Sequence, residues 1–545
     1  MKDYQSITQT VPDVGITTNT LALAPAAVTN NNHHHHEQHI QSHDHLAPPF
    51  DSIERKSNLF VATFNLIATI IGGVVLSLPM VFYKCGIVFT SLSMILSAYM
   101  TYTSLMMLCL SSRKGGGSSY GEVVRSAFGE RMEECVSWLL FVFLMFVIIG
   151  YMVLIRDIWT PIVQEVFRLD VDGDQILLAI TVILLPFIFQ RSLHALRWNC
   201  YVGSTSIFVL CIALNRGGWQ RSIMESSTGF TIEFFKIPST QDILFSFPIT
   251  TCAFLCQFNI IAVQNSLSRP TRERTKQVIR YAIGASFALM YMFGLGGYLY
   301  AGNNPRGNIL LNIPISRQAG EDEGEYLLFL LGRIGSGLTI MLAMPMMALP
   351  CREALLEVLD VWYHRSHHLT NIMIGNVSVA RTDNIEKCQW NVFHWCNTTS
   401  ESVQDAPIVM EDEVTEILPD STEAEGVHFR RSSILIRHEP IQNDYIFRNA
   451  LAHYGSSLMI ISTCYLGAVA VNGVDVVWSF IGSSMAFVIA FILPSGSFIA
   501  IENSLQMLAD GGGLQNKSIK IAWMILIFSV IGAFVCTLNS VFGSS

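Results

Sequence analysis

The chain has 545 residues, 51% of them hydrophobic and only 14% charged, whereas soluble domains run at about 25% charged. That balance excludes an ordinary soluble globular protein and points to a chain that crosses a membrane many times. The net charge of −9 gives no reason to expect nucleic acid as a partner, because the acidic excess lies largely in tails and loops rather than on the apolar runs.

Residues 1–57 read as a disordered, polar cytoplasmic tail with no apolar core of a cleavable signal peptide. The tail holds a His-rich tract at 33–45, "HHHHEQHIQSHDH", a composition able to bind a transition metal weakly but with no folded context to fix a coordination geometry. "YQSI" at Tyr4 fits a tyrosine sorting signal and is short enough to arise by chance.

Apolar runs of membrane length follow at 59–83, 87–110, 136–159, 243–265, 278–301, 326–350, 446–470, 474–500 and 519–541. Two shorter ones, 175–190 and 199–214, are near the length at which a buried core helix competes. Counting both predicts eleven spans and an all-α polytopic membrane protein. With a cytoplasmic N-terminus, the basic stretch "RPTRERTKQVIR" (Arg269, Arg272, Arg274, Lys276, Arg280) falls inside, and the acidic "RLDVDGD" and "RQAGEDEGE" fall outside, as the positive-inside rule asks. The sequons at Asn376, Asn397 and Asn516 all land on the cytoplasmic side, which predicts an unglycosylated chain.

Between the eighth and ninth runs, residues 351–445 form a long cytoplasmic loop with an acidic stretch followed by "RRSSILIR". It is either a solvated linker or a regulatory segment modified at Ser432 or Ser433. Cys388, His394 and Cys396 can bind metal, but their spacing is not that of a zinc site. Most other cysteines lie within apolar runs and read as small hydrophobes rather than a disulfide framework.

The first run contains "NLIATIIGGVVLSLP", Asn65 to Pro79. A plain anchor has no use for an asparagine, a glycine pair and a proline. In lipid, irregular backbone survives only where protein or a water-filled cavity satisfies it, and Gly72–Gly73 with Pro79 favours such a break. Broken ends suit a zwitterion, with amides toward an anionic group and carbonyls toward a cation. The plainer alternative is close helix packing at the glycines and an interhelical hydrogen bond from Asn65. The sixth run, "FSFPITTCAFLCQFNIIAVQNSLSRP", carries Pro248, Gln257, Asn259, Gln264 and Asn265. In a five-plus-five inverted repeat it is the counterpart of the first.

These stretches resemble the amino acid/auxin permease family, closest to the system A/N neutral amino acid transporters. "FNLIATIIGGVVLSLP" resembles that family's first span, "LPFIFQRSLHALRWNCYVGSTSIF" its fourth-to-fifth stretch and "FLCQFNIIAVQNSLSRPTRER" its sixth. "GYLYAG" with "NILLNIP" resembles the end of the seventh span and the next loop, and "GRIGSGLTIMLAMPMMALPCREAL" the eighth. The resemblance implies a LeuT-like fold of eleven transmembrane helices with broken first and sixth helices. Spans 1–8 then occupy 58–350 and spans 9–11 occupy 446–545. It also implies a monomer in membrane lipid that carries amino acids by alternating access, not an enzyme, with no metal or cofactor.

The substrate site is then expected at Asn65, Thr69, Gly72 and Gly73, faced by Gln257 and Asn259, with Tyr151 covering the solute's side chain. Replacing Gly72 by a β-branched residue is expected to abolish uptake. Asn65 and Thr339 are the candidate ion ligands. The family's threonine positions in the eighth span are Met341 and Ala343 here, which supply no hard oxygen for sodium. Asp157, Asp242 and Asp475 lie near span ends, so no obvious proton carrier stands out. Sodium, proton and uniport remain alternatives, as do a plasma membrane and an endolysosomal or vacuolar one. A second function fits the same features: an amino-acid sensor that signals through its tail and the 351–445 loop.

Overall fold

Every regular element of the described residues is helical. The structure, a computed structural model, describes residues 57–168, 170–190, 199–225, 234–315, 323–379, 450–508 and 517–542. The His-rich tract, Tyr4, the Cys388–Cys396 cluster, Asn397, Asn516, Ser432 and Ser433 lie outside them. Counted across their interruptions, eight helical segments of the described residues are long and apolar enough to cross a membrane, and two shorter apolar helices, Leu59–Ile70 and Gly173–Ile188, accompany them.

The first apolar run folds in pieces. Helix α1, Leu59–Ile70, starts at Asn58, whose side chain accepts from the Val61 amide at 2.8 Å. It ends where Ile71 and Gly72 leave helical geometry, and a 3₁₀ turn, Gly73–Ser77, follows. Helix α2, Leu78–Gly115, begins with Pro79 in its first turn, where a missing amide costs nothing. Gly86, at φ 73° and ψ 170°, breaks α2 into two. The segment that belongs with α1 therefore runs to Cys85, and a second long helix starts beyond it.

A short amphipathic helix not foreseen in the sequence, α3 (Tyr120–Phe128), precedes α4, Glu130–Phe167. Helix α5 spans Gly173–Ile188, and α6 runs Asn199–Glu225, eleven residues beyond the expected end at 214. The sequence Asn215–Gly218 looks like a stop, but it is held by packing. Asn215 Nδ2 donates to the carbonyls of Cys211 and Met292 at 2.7 and 3.1 Å, and the Arg221 guanidinium lies 4.0 Å over the Tyr300 ring.

The sixth run also comes in two parts, α7 (Thr240–Ala253) and α8 (Gln257–Ser266). Helix α9 is Arg272–Ala301, and α10 is a single 57-residue helix, Glu323–Val379, so the expected boundary at 350 falls inside it. Helix α11 is Ala450–Ala470. The tenth run opens as α12, Val474–Ile481, passes through two π-helical turns, Gly482–Ala486 and Val488–Ile492, and closes as α13, Leu493–Leu508. Wide π turns displace carbonyls from their usual partners, and neighbours meet them here. Tyr120 Oη donates to the Ile489 carbonyl at 2.8 Å, Ser104 to that of Ala490, and Thr537 Oγ1 to that of Ser483 at 3.0 Å. Helix α14, Lys517–Phe542, ends the described chain.

Candidate functional site

The two interrupted elements lie against each other. Helix α1 packs on α8, and the 3₁₀ turn packs on α7, α9 and α12. At the end of α1 the Ile71 amide bonds to the Ile67 carbonyl at 2.9 Å and the Gly72 amide to that of Ile70 at 2.9 Å. The amides that open the 3₁₀ turn have no carbonyl behind them within the turn. At the end of α7, Phe254 and Leu255 close back onto the Thr251 and Cys252 carbonyls at 3.3 and 3.1 Å. Two helix C-termini and two helical N-termini thus meet in one region, with carbonyl and amide dipoles of opposite sign.

Side chains tie the region together. Asn259 Nδ2 donates to Thr69 Oγ1 at 2.8 Å, and Thr69 Oγ1 donates to the Asn65 carbonyl at 2.9 Å. The chain α8–Thr69–α1 is therefore continuous. Gln257 is fully buried, and its Oε1 accepts from the Cys256 amide at 3.0 Å. A Cβ placed on Gly72 would lie 3.8 Å from Tyr151 Oη, and one on Gly73 would lie 3.4 Å from both the Tyr151 and Trp478 rings. The structure thus brings together Thr69 with Asn259 and Gly72–Gly73 with Tyr151, and it places Gln257 at the head of α8.

Asn65 and Thr339 are placed differently. The Asn65 residue is exposed on α1, and its backbone carbonyl makes the contact to Thr69. Thr339 Oγ1 donates to its own helix at the Gly335 carbonyl, 2.7 Å away, while the Thr339 carbonyl accepts from Asn199 Nδ2 at 3.0 Å. Among the described residues no hydrogen bond joins the Asn65 and Thr339 side chains.

Sequence reasoning missed Trp478. Its ring is buried on the first turns of α12, edge-on to Tyr151 with centroids 6.3 Å apart. It lies so close to Gly150 that a Cβ there would come within 2.7 Å of it. A tryptophan in an apolar run carries no signal of its own. The only cue was its place beside "SFIGSS", where small and polar residues interrupt the run.

On the segments that make the breaks, Ser77 Oγ, Thr251 Oγ1 and Gln257 Nε2 are buried with no hydrogen-bond partner among the described residues, as is Trp478 Nε1 on α12. Buried polar atoms are normally paired, so each of these is a group that a polar solute or water could satisfy.

The Thr69–Asn259 bond is open to direct measurement. A neutral hydrogen bond contributes about 1 kcal/mol, so Thr69→Val and Asn259→Leu should each lower thermal stability. The double variant should lose less than their sum by about that amount. Strict additivity in a thermal melt would show that the two side chains are not coupled.

A polytopic helical membrane protein with two abutting chain breaks and unmet polar groups beside them is the class defined so far. Residues 55–542 match the family described as transmembrane amino acid transporter protein, and the chain belongs to that family. It is 23% identical to human solute carrier family 38 member 10 over 309 residues, 54% of this chain but 26% of that protein. The match thus spans about a quarter of that relative's length. It is also 23% identical to vacuolar amino acid transporter 6 of Saccharomyces cerevisiae over 357 residues, 64% of this chain and 68% of that one. Among solved structures, a substrate-bound, outward-open Na⁺-coupled sialic acid symporter overlaps with a TM-score of 0.42 and 11% identity, covering 89% of this chain and 90% of that one.

Proposed function

We propose that this protein is a secondary transporter of amino acids working by alternating access, with the solute held between the α1–3₁₀ break and the α7–α8 break. One observation carries the reading: two interrupted helices abut, are bridged by Thr69 and Asn259 at 2.8 Å, and bury polar atoms that nothing among the described residues satisfies. The amides opening the 3₁₀ turn and α8 suit a carboxylate, and the carbonyls ending α1 and α7 suit an ammonium. Gln257 and Asn259 flank those groups, while Tyr151 and Trp478 cover the solute's side chain. Membership of the family and the likeness to a vacuolar amino acid transporter support the substrate class.

The finer architecture belongs to the same proposal. The α1–Cys85 segment and α7–α8 are the discontinuous first and sixth of eleven crossings in a LeuT-like five-plus-five repeat. The N-terminus faces the cytoplasm, and the membrane is the plasma membrane or a vacuolar or endolysosomal one. The chain acts as a monomer.

Asn65 and Thr339 are proposed ion ligands. Thr339 Oγ1 keeps its lone pairs after donating to Gly335, and Asn65 is exposed on α1. Purified protein in proteoliposomes should take up one or more labelled amino acids from a panel, and binding without flux would instead favour a sensor. Replacing external sodium by choline should abolish concentrative uptake if the two residues hold sodium. Uptake indifferent to sodium, and unchanged in Thr339→Val, would remove both as ion ligands.

A further inference from the structure

A cavity of about 550 Å³ lies apart from the two breaks, its lining including Val476, Val477, Ser479 and Phe480 of α12. It is bounded by the first turns of α7 and α12, the last turns of α11 and α14, the middle of α4, and Lys84 just before the Gly86 break. Its polar groups, Lys84, Gln241, Asp242, Asn539 and Ser540, sit at the helix ends; Phe146, Ile149, Phe245 and Phe480 form the apolar part. Val469, Val476 and Leu538 leave large apolar surfaces exposed on the turns around it. In a membrane protein such a rim faces acyl chains.

The charges at the polar end are not spent on each other. Lys84 Nζ lies 4.0 Å above the Phe245 ring, and Asp242 is held by the Ser239 hydroxyl at 2.6 Å. Among the described residues neither has an opposite charge within 4 Å, whereas Lys114, Arg125 and Arg156 do; the Asp475 carboxylate is the further anion within electrostatic reach of Lys84. A cation and an anion at the mouth of an apolar slot match a head group carrying both signs on a hydrocarbon tail.

We propose that this cavity binds a zwitterionic phospholipid, its phosphate on Lys84, its amine near Asp242 and an acyl chain among Phe146, Phe245 and Phe480. On the orientation given above, the lipid comes from the leaflet away from the cytoplasm. Val476, Val477, Ser479 and Phe480 line the cavity, while Trp478, on the same turn, is packed against Gly73 and Gly150. A seated lipid therefore braces the turn that holds Trp478 over the candidate substrate site. The binding itself stands on the cavity alone, so a failure of the transport reading would leave it intact.

The test uses the full chain, purified in detergent and stripped of lipid. Native mass spectrometry reads retention of dioleoylphosphatidylcholine, of dioleoylglycerol (tails without the head) and, as competitor, of glycerophosphocholine (head without tails). One phosphatidylcholine should stay bound per chain, and it should raise the melting temperature. Lys84→Gln removes the cation, and Ala470→Trp fills the slot from an exposed position. Each should cut retention by about tenfold and abolish the thermal shift. Equal retention in the wild type and both variants would overturn the site. Equal binding of dioleoylglycerol would overturn the role of the charges, and displacement by glycerophosphocholine would overturn the lipid as occupant.

Discussion

Gly73→Val should reduce amino acid uptake to a small fraction of the wild-type rate without removing the protein from its membrane. A Cβ at Gly73 would fall 2.6 Å from Leu154 Cδ1 and 3.4 Å from both Trp478 and Tyr151. That is a filled position between three side chains, one of them a fully buried leucine. Overpacking of this kind costs about 1–3 kcal/mol. Expressed at the transition between open and closed states, that corresponds to about a five- to hundred-and-sixtyfold loss of rate. The sequence alone singled out Gly72 for this substitution. There a Cβ would meet only Tyr151 Oη at 3.8 Å, an ordinary contact, and its φ of −109° suits any residue. Gly72→Ala should therefore transport at close to the wild-type rate. Both rates are to be measured as uptake normalised to protein in the membrane. Wild-type flux through Gly73→Val would exclude the 3₁₀ turn from the transport path.

The second large effect is expected at Gly482, where α12 enters its first π turn. A Cβ there would run into the Pro248 carbonyl oxygen, and Pro248 Cβ would be 2.9 Å away. Backbone atoms of a packed helix cannot rotate aside as a side-chain tip can, so α12 and α7 would have to separate. Trp478 is one helical turn before Gly482 and would move with it. Gly482→Val should accordingly lower the melting temperature and abolish uptake together. Gly455→Ala, where a Cβ meets nothing within 4 Å, serves as the neutral control. A Gly482→Val protein with the wild-type melting temperature would show that the α7–α12 contact is not what it is taken to be.

These two glycines mark how far the sequence could be read. The break in the first apolar run was legible because a glycine pair and a proline weaken a helix where lipid offers the freed backbone no partner. The resemblance to the permeases singled out the same stretch. Gln257 and Asn259 stood out as amides in an apolar run, and the structure sets Gln257 at the start of α8 and Asn259 on Thr69. Gly150 and Gly482 carried no such signal, because single glycines in apolar runs usually ease helix packing. What makes them special is a partner far away in the chain: the Trp478 ring for one and the Pro248 carbonyl for the other. The end of α6 is illegible for the same reason. Asn215 and Gly217–Gly218 look like a stop until Met292 and Tyr300 of α9 are seen to hold them. Local chemistry predicts where a helix can break; tertiary contacts decide where it does.

Helix α10 adds a matter of reach. Its 57 residues have a contour length of about 85 Å, roughly twice the thickness of a bilayer with its head groups, about 40–45 Å. Much of its C-terminal half must therefore stand clear of the lipid like a mast. Any tilt of the bundle would swing the tip at Val379 through a wide arc, turning a small rearrangement among the packed helices into a large displacement well away from the membrane surface.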